Sequence, residues 1–215
     1  MTVCIAALCD GGKTCVVAAD KMVVQGHENL EVKIDNCEAK IRMVSPCSVL
    51  LHSGNRSDAE TIVAAARNVL LQDSSSVREA LTKGIENVVK ERRDEAVRRA
   101  LGATCDFDNL VRTISKLSAT DLSAKLSAGP LCELCQQIQK VELGEMLLAS
   151  TETEEFEIWY LRPPHGGAQY DAPFAAVGSG KTLAEMALTI QRYTRDLPQS
   201  EALFEVYLAK KAAEL

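Results

Sequence analysis

The hydrophobic pattern of the first twenty residues predicts a β-hairpin. Val3 to Cys9 and Thr14 to Ala19 are apolar, partly β-branched runs of strand length. Asp10-Gly11-Gly12-Lys13 separates them and has the composition of a turn, because both glycines accept positive φ without a steric penalty. A turn centred on the two glycines places Val3 opposite Asp20, within one residue. The hairpin therefore returns an acidic residue to the amino end of the chain.

A second pair of strands is predicted next, and it carries a lysine. Glu38 to Val44 and Ser48 to Ser53 have strand composition and are joined around Ser45-Pro46. Lys40 lies on the first of them, and a lysine on a buried strand is costly unless a carboxylate pairs with it. Asp20 is the nearest candidate in the sequence. Each charge alone is equally compatible with an ordinary edge strand.

Beyond residue 54 the hydrophobic period changes to that of a helix. Ser57-Asp58-Ala59-Glu60 and Ser76 to Glu79 have the capping-box form, a serine followed three residues later by glutamate. Each precedes an apolar stripe at helical spacing, which predicts two helices. Shorter helices are indicated around Phe107 to Leu117 and Leu131 to Ile138.

The last third of the chain returns to strands and then ends in helices. Apolar runs of strand composition are followed by two segments with helical spacing. The predicted strands are Met146 to Ala149, Phe156 to Leu161 and Phe174 to Val177, with a loop at Pro163 to Gly167, and the predicted helices span about 181–195 and 200–215.

Composition and charge describe an ordinary soluble protein. With 215 residues, 47% of them hydrophobic and 25% charged, the chain is long enough for one well-packed domain and short for two. A net charge of −6 argues against a nucleic-acid partner, and no apolar stretch has membrane-spanning length. The apolar start lacks a basic region, so eight cysteines without an export signal predict reduced thiols and a cytoplasmic location.

Thr2 is a candidate nucleophile, because removal of Met1 makes it the first residue. A threonine hydroxyl is a weak nucleophile that needs a base, and a free amine on the same residue can act as one. An α-amino group has a pKa of about 7.7–8.0, so it is only partly deprotonated near neutral pH. A neighbouring cation lowers that pKa, and Lys40 is the candidate, with Asp20 holding the lysine in place and charged.

Two glycine-containing segments complete the candidate site. The backbone N–H of Gly54 suits an oxyanion, because a residue without Cβ lets a substrate approach the main chain. Ser179, between Gly178 and Gly180, is able to hydrogen-bond the amine or relay its proton. That serine is a weak signal by itself, since a plain strand-to-helix turn has the same composition.

Two other motifs resemble a nucleotide site and a metal site but lack the parts that each site needs. Ala175 to Thr182 is similar to a phosphate-binding P-loop, but too little chain follows it to build the remainder of a nucleotide-binding sheet. Cys132 and Cys135 form a lone CxxC, and a structural zinc site needs four ligands, so a local thiol pair is favoured. We therefore expect no metal and no cofactor.

The chain resembles the proteasome β-subunit and HslV branch of the N-terminal nucleophile hydrolases. The resemblance covers most of the chain and is strongest over residues 2–71 and 142–215. Each motif is short, so the specificity comes from their number, order and spacing. The motifs are Thr2-Val3-Cys4-Ile5, Ala18-Ala19-Asp20-Lys21-Met22, Glu38-Ala39-Lys40-Ile41, His52-Ser53-Gly54 and Val177-Gly178-Ser179-Gly180.

The resemblance implies an α+β fold, specifically a four-layer αββα sandwich over residues 1–215, with a threonine nucleophile exposed by removal of everything before it. Compact members connect helix to strand more directly, so approximately residues 90–140 are interpreted as a helical insertion. Members also extend into one more strand after the last helix, which this sequence lacks. The implied substrate is a peptide or a small amide.

Assembly is a further implication. The implied state is a homo-oligomeric ring, with an ATP-dependent unfoldase as an optional partner and no nucleic-acid or membrane partner. Apolar residues around 57–101 are expected to supply the subunit contact. The alternative is a catalytically inactive subunit of the same fold that serves as a scaffold or binding module, and a P-loop nucleotide hydrolase is the third hypothesis.

Overall fold

A computed structural model describes residues 2–20, 23–27, 30–34, 40–72, 76–101, 106–116, 138, 141, 143–151, 154–161 and 167–214. Helices and strands are mixed along the described chain, and it divides into two compact units, Met1–Gly84 with Leu143–Leu215, and Ile85–Glu142. The elements are β1 (Cys4–Cys9), β2 (Thr14–Ala19), β3 (Val23–His27), β4 (Leu30–Ile34), β5 (Ile41–Ser45), β6 (Ser48–Ser53), α1 (Arg56–Gln72), α2 (Val77–Leu101), α3 (Phe107–Ile114), β7 (Glu145–Ser150), β8 (Glu157–Leu161), β9 (Gly167–Gln169), β10 (Phe174–Val177), α4 (Lys181–Ile190) and α5 (Gln199–Glu214).

The amino-terminal hairpin forms in the predicted register. Strand β1 pairs antiparallel with β2 from Cys4 opposite Ala19, and it pairs with β10 on its other edge. The backbone N–H of Asp20 donates to the carbonyl of Val3 at 3.0 Å, which continues the ladder to the amino end. A short 3-10 turn over Asp10–Gly12 connects the strands, and all three of its residues have positive φ. The predicted return of Asp20 is confirmed.

The second sheet has five antiparallel strands in the order β5-β6-β7-β8-β9. Strand β5 begins at Ile41, so Lys40 lies one residue before the strand on which the pattern placed it. Backbone pairing nevertheless reaches the lysine, because the N–H of His52 donates to the carbonyl of Lys40 at 3.1 Å. Glu38 and Ala39 lie outside the described residues. The remaining predicted strands, β6, β7, β8 and β10, are present within one residue of their expected bounds.

The pattern failed to predict three short strands. Strands β3 and β4 form a two-stranded antiparallel sheet of their own, in which Val23 lies opposite Ile34. Strand β9 pairs with β8 and begins at Gly167, the last residue of a predicted loop. A strand of three residues is too short to show an alternating pattern. The rest of that predicted loop, residues 162–166, lies outside the described residues.

The first sheet is apolar on both faces, because buried apolar side chains fill every position of β1. Val3, Ile5 and Ala7 share a buried cluster with residues of α4 and α5, including Leu188 and Val206. The alternate positions share a second cluster with the five-stranded sheet. The members of that cluster are Cys4, Ala6, Leu8, Leu51, Leu147, Ala149, Ile158, Ala175 and Val177. In the first unit a helix pair and two sheets are therefore stacked in succession.

The cap of the first long helix differs from the prediction. Helix α1 begins at Arg56, and the side-chain oxygen of Asn55 accepts from the N–H of Ser57 at 2.9 Å. Asparagine is as good an N-cap as serine and lies two residues earlier, so the expected Ser57 capping box is wrong. The second capping box is confirmed, because Ser76 and Glu79 each accept from the backbone N–H of the other.

The second unit is helical in its described part. It contains the later turns of α2 and the helix α3, which confirms the helix expected around residues 107–117. Val97 and Leu110 pack there with Ile138, which belongs to a further predicted helix that otherwise lies outside the described residues. No described helix of the chain is both long and apolar enough to cross a membrane.

The penultimate helix is shorter than its pattern indicated. Helix α4 ends at Ile190 rather than near 195, and Arg192 adopts a φ of 55° just beyond it. Tyr193 then turns inward, where its ring meets Phe174 edge-on and its hydroxyl donates to the carbonyl of Leu8 at 3.0 Å. The hydrophobic pattern extends past residue 190 because Tyr193 is also buried.

Candidate active site

Three of the predicted residues meet at the amino end of the β1–β2 hairpin. The ammonium of Lys40 lies 2.8 and 2.9 Å from the two carboxylate oxygens of Asp20, and 3.4 Å from the hydroxyl oxygen of Thr2. Asp20 and Lys40 are both buried. A buried lysine that contacts both a carboxylate and a hydroxyl places a positive charge beside a potential nucleophile.

The aspartate is fixed to the strand that carries the nucleophile. One oxygen of Asp20 accepts from the N–H of Val3 at 2.9 Å while it also binds Lys40. The same residue's own N–H donates to the Val3 carbonyl, so the two strands hold the carboxylate from both sides. The hairpin register therefore fixes the position of the Asp20 carboxylate relative to Thr2, and this carboxylate in turn binds Lys40.

Ser179 contacts the other functional atom of Thr2. The nitrogen of Thr2 donates to the hydroxyl of Ser179 at 2.8 Å, and the N–H of Gly180 donates to the carbonyl of Thr2 at 2.9 Å. Gly178 has a φ of 98°, and a Cβ added there would lie 2.5 Å from the carbonyl oxygen of Thr2. The glycines beside Ser179 thus permit a close approach of two backbones, which a plain strand-to-helix turn does not need.

Glu145 anchors the segment that carries Ser179, and sequence reasoning missed it. One of its oxygens accepts from the N–H of Gly178 at 3.3 Å, and the other accepts from the hydroxyl of Tyr160 at 2.6 Å and from the ammonium of Lys181 at 2.8 Å. Burial works against the charge, but these donors hold the pKa of the Glu145 carboxyl below its usual range. No local motif marks this residue, because all of its partners are distant in sequence or belong to backbone.

Lys181 does not occupy the role that a P-loop would give it. Its ammonium is paired with Glu145 and lies 5.9 Å from the centre of the Tyr160 ring. Both glycines before it are used in contacts with Thr2. The P-loop-like segment therefore contacts Thr2 at the amino end of the chain.

Gly54 lies at the same end of the second sheet as Lys40. It follows directly after β6, two residues beyond His52, which is the backbone partner of Lys40. Gly54 has a φ of 149°, and a Cβ there would lie 3.0 Å from the carbonyl oxygen of Leu143. Its position therefore favours glycine, and strand register rather than a direct hydrogen bond is what associates it with the site.

Two buried titratable groups flank the site, and both are neutral near pH 7. Burial, followed by the charges of Arg42 and Lys40, lowers the pKa of His52 to about 4. Burial raises the pKa of Cys4 to about 12, and its thiol donates to the carbonyl of His52. Cys4 is thus a small core residue, as predicted, and is not a nucleophile. The imidazole of His52 has no hydrogen-bond partner among the described residues.

The groups around Thr2 supply most parts of an acyl-transfer site but lack a base while Met1 is attached. A hydroxyl, an adjacent nitrogen, a cation and a fixed carboxylate are present around Thr2. With Met1 attached, however, the nitrogen of Thr2 is a peptide amide and has no basic lone pair. The arrangement acquires a base only when Thr2 carries a free amine.

Comparison with known proteins identifies the fold. No protein-family model matches the chain, and no curated protein matches it. Among solved structures, eukaryotic HslV from Trypanosoma brucei is similar over 99% of this chain and 90% of its own, with 20% sequence identity and a TM-score of 0.56. The expected α+β class is confirmed, and the protein has an HslV-like fold.

Proposed function

We propose that the protein is a threonine-type amide hydrolase, a peptidase, with Thr2 as its nucleophile. The proposal rests on the position of Thr2, which contacts both Lys40 and Ser179. The hydroxyl of Thr2 is 3.4 Å from the ammonium of Lys40, and its nitrogen is 2.8 Å from the hydroxyl of Ser179. The HslV-like fold supports the same reaction class.

The proposed reaction begins after Met1 is removed. The free amine of Thr2 takes the proton from its own hydroxyl, and the oxygen attacks the carbonyl carbon of the substrate amide. The ammonium of Lys40 favours the neutral amine and stabilises the developing alkoxide. The backbone N–H of Gly54 donates to the oxyanion that forms.

Collapse of the tetrahedral intermediate breaks the carbon–nitrogen bond. The protonated amine of Thr2 gives its proton to the leaving nitrogen, and an ester between substrate and Thr2 remains. Water, deprotonated by the same amine, then hydrolyses the ester and regenerates the hydroxyl. Ser179 keeps the amine oriented through both steps, and Asp20 keeps Lys40 charged.

The proposal extends to architecture and assembly. We infer a four-layer αββα sandwich in a single domain, with α1 and the start of α2 (residues 77–84) in the fourth layer and residues 90–140 as a helical insertion. Support comes from α2, where the guanidinium of Arg78 lies 4.5 Å from the centre of the Trp159 ring on β8. We also infer a cytoplasmic location, supported by four described cysteines that are free thiols.

A closed homo-oligomeric ring is part of the proposed function. An exposed terminal nucleophile would cleave neighbouring proteins, so enclosure in a ring is the physical way to limit its substrates. Such a ring repeats a heterologous contact by rotation. An ATP-dependent unfoldase would then be needed to supply folded proteins as substrates, whereas peptides and small amides would enter directly.

The test combines processing with turnover. Intact-mass measurement on protein from its own host should show loss of Met1, and that protein should cleave fluorogenic peptide amides. Thr2→Ala should abolish turnover while far-UV circular dichroism stays unchanged, and Thr61→Ala on the exposed side of α1 is the matched control. Turnover that survives Thr2→Ala contradicts the mechanism. Complete retention of Met1 with no turnover would favour the inactive scaffold instead.

A further inference from the structure

A cavity at the turn end of the β1–β2 hairpin is separate from the candidate active site. Its volume is about 630 Å³, which lies within the range of about 300–1,000 Å³ that is typical of ligand sites. Leu8 on β1 lines it, and Leu8 is six residues beyond Thr2 along a strand. At about 3.3 Å per residue, Leu8 is about 20 Å from the proposed nucleophile, too far for the cavity to hold the bond that is cleaved.

The inner part of the cavity is apolar. Among its buried and half-buried lining residues only Glu157 carries a charge, and its carboxylate accepts from the indole N–H of Trp159 at 3.1 Å. The other buried and half-buried lining residues are Leu8, Phe156, Ile158, Ala172, Pro173 and Tyr193. An apolar group of a ligand would therefore leave water there and gain the free energy of apolar burial.

The exposed lining residues, which we call the rim, are mainly acidic. The rim carboxylates belong to Glu154, Glu155, Asp171 and Asp196. Arg195 is the one cation among the described lining residues, and its guanidinium is paired with Glu155 at 2.8 Å. With Glu157 included, five carboxylates and one guanidinium give this lining a formal net charge of −4, whereas the whole chain has −6. Charge of one sign concentrated in a cleft attracts ligands of the opposite sign.

The rim carboxylates are spread around the cavity rather than gathered at one point. In the part of the chain that the structure describes, no three side chains of Asp, Glu, His or Cys lie close enough together to hold a metal ion. The carboxylates of Glu154, Asp171 and Asp196 make no ion pair or hydrogen bond to another described residue. Separated carboxylates without partners match separated cations on an organic ligand better than they match a single metal ion.

We propose that this cavity binds a short peptide segment in which lysines or arginines flank an apolar side chain. The apolar side chain fills the inner part of the cavity, and the cationic groups pair with the rim carboxylates. A ligand with one charge would leave most of the rim unmatched, whereas a peptide carries several charges at separate points. Tyr170, which is 38% exposed at the rim, adds an aromatic ring on which a guanidinium can stack.

Binding of a labelled peptide tests the proposal. A fluorescein-labelled peptide Gly-Arg-Phe-Arg-Gly is titrated with the full chain carrying Thr2→Ala, which excludes cleavage of the peptide, and fluorescence anisotropy gives the Kd. We expect saturable binding that weakens as the salt concentration rises. The peptides Gly-Arg-Gly-Arg-Gly and Gly-Glu-Phe-Glu-Gly should each bind at least about tenfold more weakly, because the first lacks the apolar side chain and the second has the wrong charge.

A double substitution at the rim tests whether the peptide binds in this cavity. Asp171→Asn with Asp196→Asn, made in the same Thr2→Ala chain, removes two exposed carboxylates and should raise the Kd about tenfold. Glu86→Gln with Glu91→Gln is the matched control, because it removes the same charge from exposed positions on α2. Its Kd should equal that of the Thr2→Ala chain, since salt screens charges that are distant from the ligand.

Filling the cavity gives a second test that does not depend on charge. Ala172 is half-buried in the lining, so Ala172→Leu puts a larger apolar side chain into the space that the peptide is proposed to occupy. The Kd should rise at least about tenfold, while urea denaturation shows stability that is unchanged or raised. Ala64→Leu on the exposed side of α1 is the matched control, and it should leave the Kd unchanged.

The outcomes separate this inference from the proposed function. Absence of binding up to about 1 mM peptide would overturn it. Equal Kd values for Gly-Arg-Phe-Arg-Gly and Gly-Arg-Gly-Arg-Gly would also overturn it, as would equal Kd values for the rim double variant and its control. Peptide turnover by the wild-type chain is measured separately. A chain without turnover that still binds the peptide in this cavity supports the inference and contradicts only the proposed function.

Discussion

An ion pair lies at each end of the β1–β2 hairpin, and the two pairs differ in burial. At the amino end, the side chains of Lys40 and Asp20 are 9% and 4% exposed in their ion pair. At the turn end, those of Arg195 and Glu155 are 44% and 57% exposed in theirs. Both pairs have a shortest distance of 2.8 Å. Distance alone therefore does not distinguish a candidate catalytic end from a structural one.

The turn end also borders a cavity. A cavity of about 630 Å³ lies beside Leu8, Phe156, Tyr193 and Arg195. Its surroundings bind the turn through backbone, as in the 2.8 Å hydrogen bond from the N–H of Phe156 to the carbonyl of Gly12. No described residue there brings a hydroxyl next to a buried cation. The candidate site is therefore distinguished from the turn end by desolvated charge beside a nucleophile.

Removal of one cation at each end is expected to have the largest effect. Lys40→Met keeps the apolar stem but leaves the Asp20 carboxylate buried without its cation. We expect a loss of at least about 1000-fold in peptide turnover and about 3–5 kcal/mol of stability. Arg195→Met should cost less than about 1 kcal/mol and leave turnover unchanged. Initial rates and urea denaturation measure both, and equal costs for the two variants would contradict the comparison.

Substitution of one glycine at each end of the hairpin tests the same difference. Gly178 and Gly11 both have positive φ, but a Cβ at Gly178 would lie 2.5 Å from the carbonyl of Thr2, whereas one at Gly11 meets nothing within 4 Å among described atoms. Gly178→Ala should displace Thr2 and lower turnover about 100-fold, because a 1 Å misplacement has that effect. Gly11→Ala should cost only about 1–2 kcal/mol of backbone strain and leave turnover unchanged. Turnover unaffected by Gly178→Ala would show that Thr2 tolerates displacement.

A smaller effect on turnover is expected when Glu145, which holds the segment that carries Ser179, is substituted. Glu145→Gln replaces a carboxylate that accepts from the N–H of Gly178 and from Lys181. We expect kcat to fall about tenfold with little change in KM, because Ser179 loses its fixed position while substrate contacts remain. Glu185→Gln is the control, since that carboxylate accepts from the N–H of Ala176, outside the segment. Equal rates for the two variants would remove Glu145 from the site.

Substitution of His52 should change turnover least, but it should clearly change how folding stability depends on pH. Its pKa is about 4 in the folded protein, below its usual 6.5. Between these values the unfolded chain binds more protons, so folding stability is complete above pH 6.5 and falls as the pH falls towards 4, by up to about 3 kcal/mol. His52→Asn should lack this contribution. Urea denaturation at pH 7, 5 and 4 measures the difference, and parallel pH profiles would contradict it.

The sequence alone determined the local framework of the site. The Gly11-Gly12 turn fixed the register that brings Asp20 to Val3, because period and turn chemistry are short-range properties. The sequence also indicated Thr2, Lys40, Gly54 and Ser179 as site residues, because the order of their motifs resembles that of one family. The Ser76 capping box was predictable for the same reason, whereas Asn55 was missed because asparagine and serine compete as caps two residues apart.

Only the tertiary structure decided which of these groups meet. Lys40 reaches Thr2 and Asp20 because β5 and the hairpin belong to two stacked sheets, and Ser179 reaches the Thr2 nitrogen from 177 residues away. Glu145 left no local signal. A hydrophobic pattern gives the period of a helix but not which of its apolar sides becomes buried. That choice depends on packing between distant segments, which no local stretch of sequence contains.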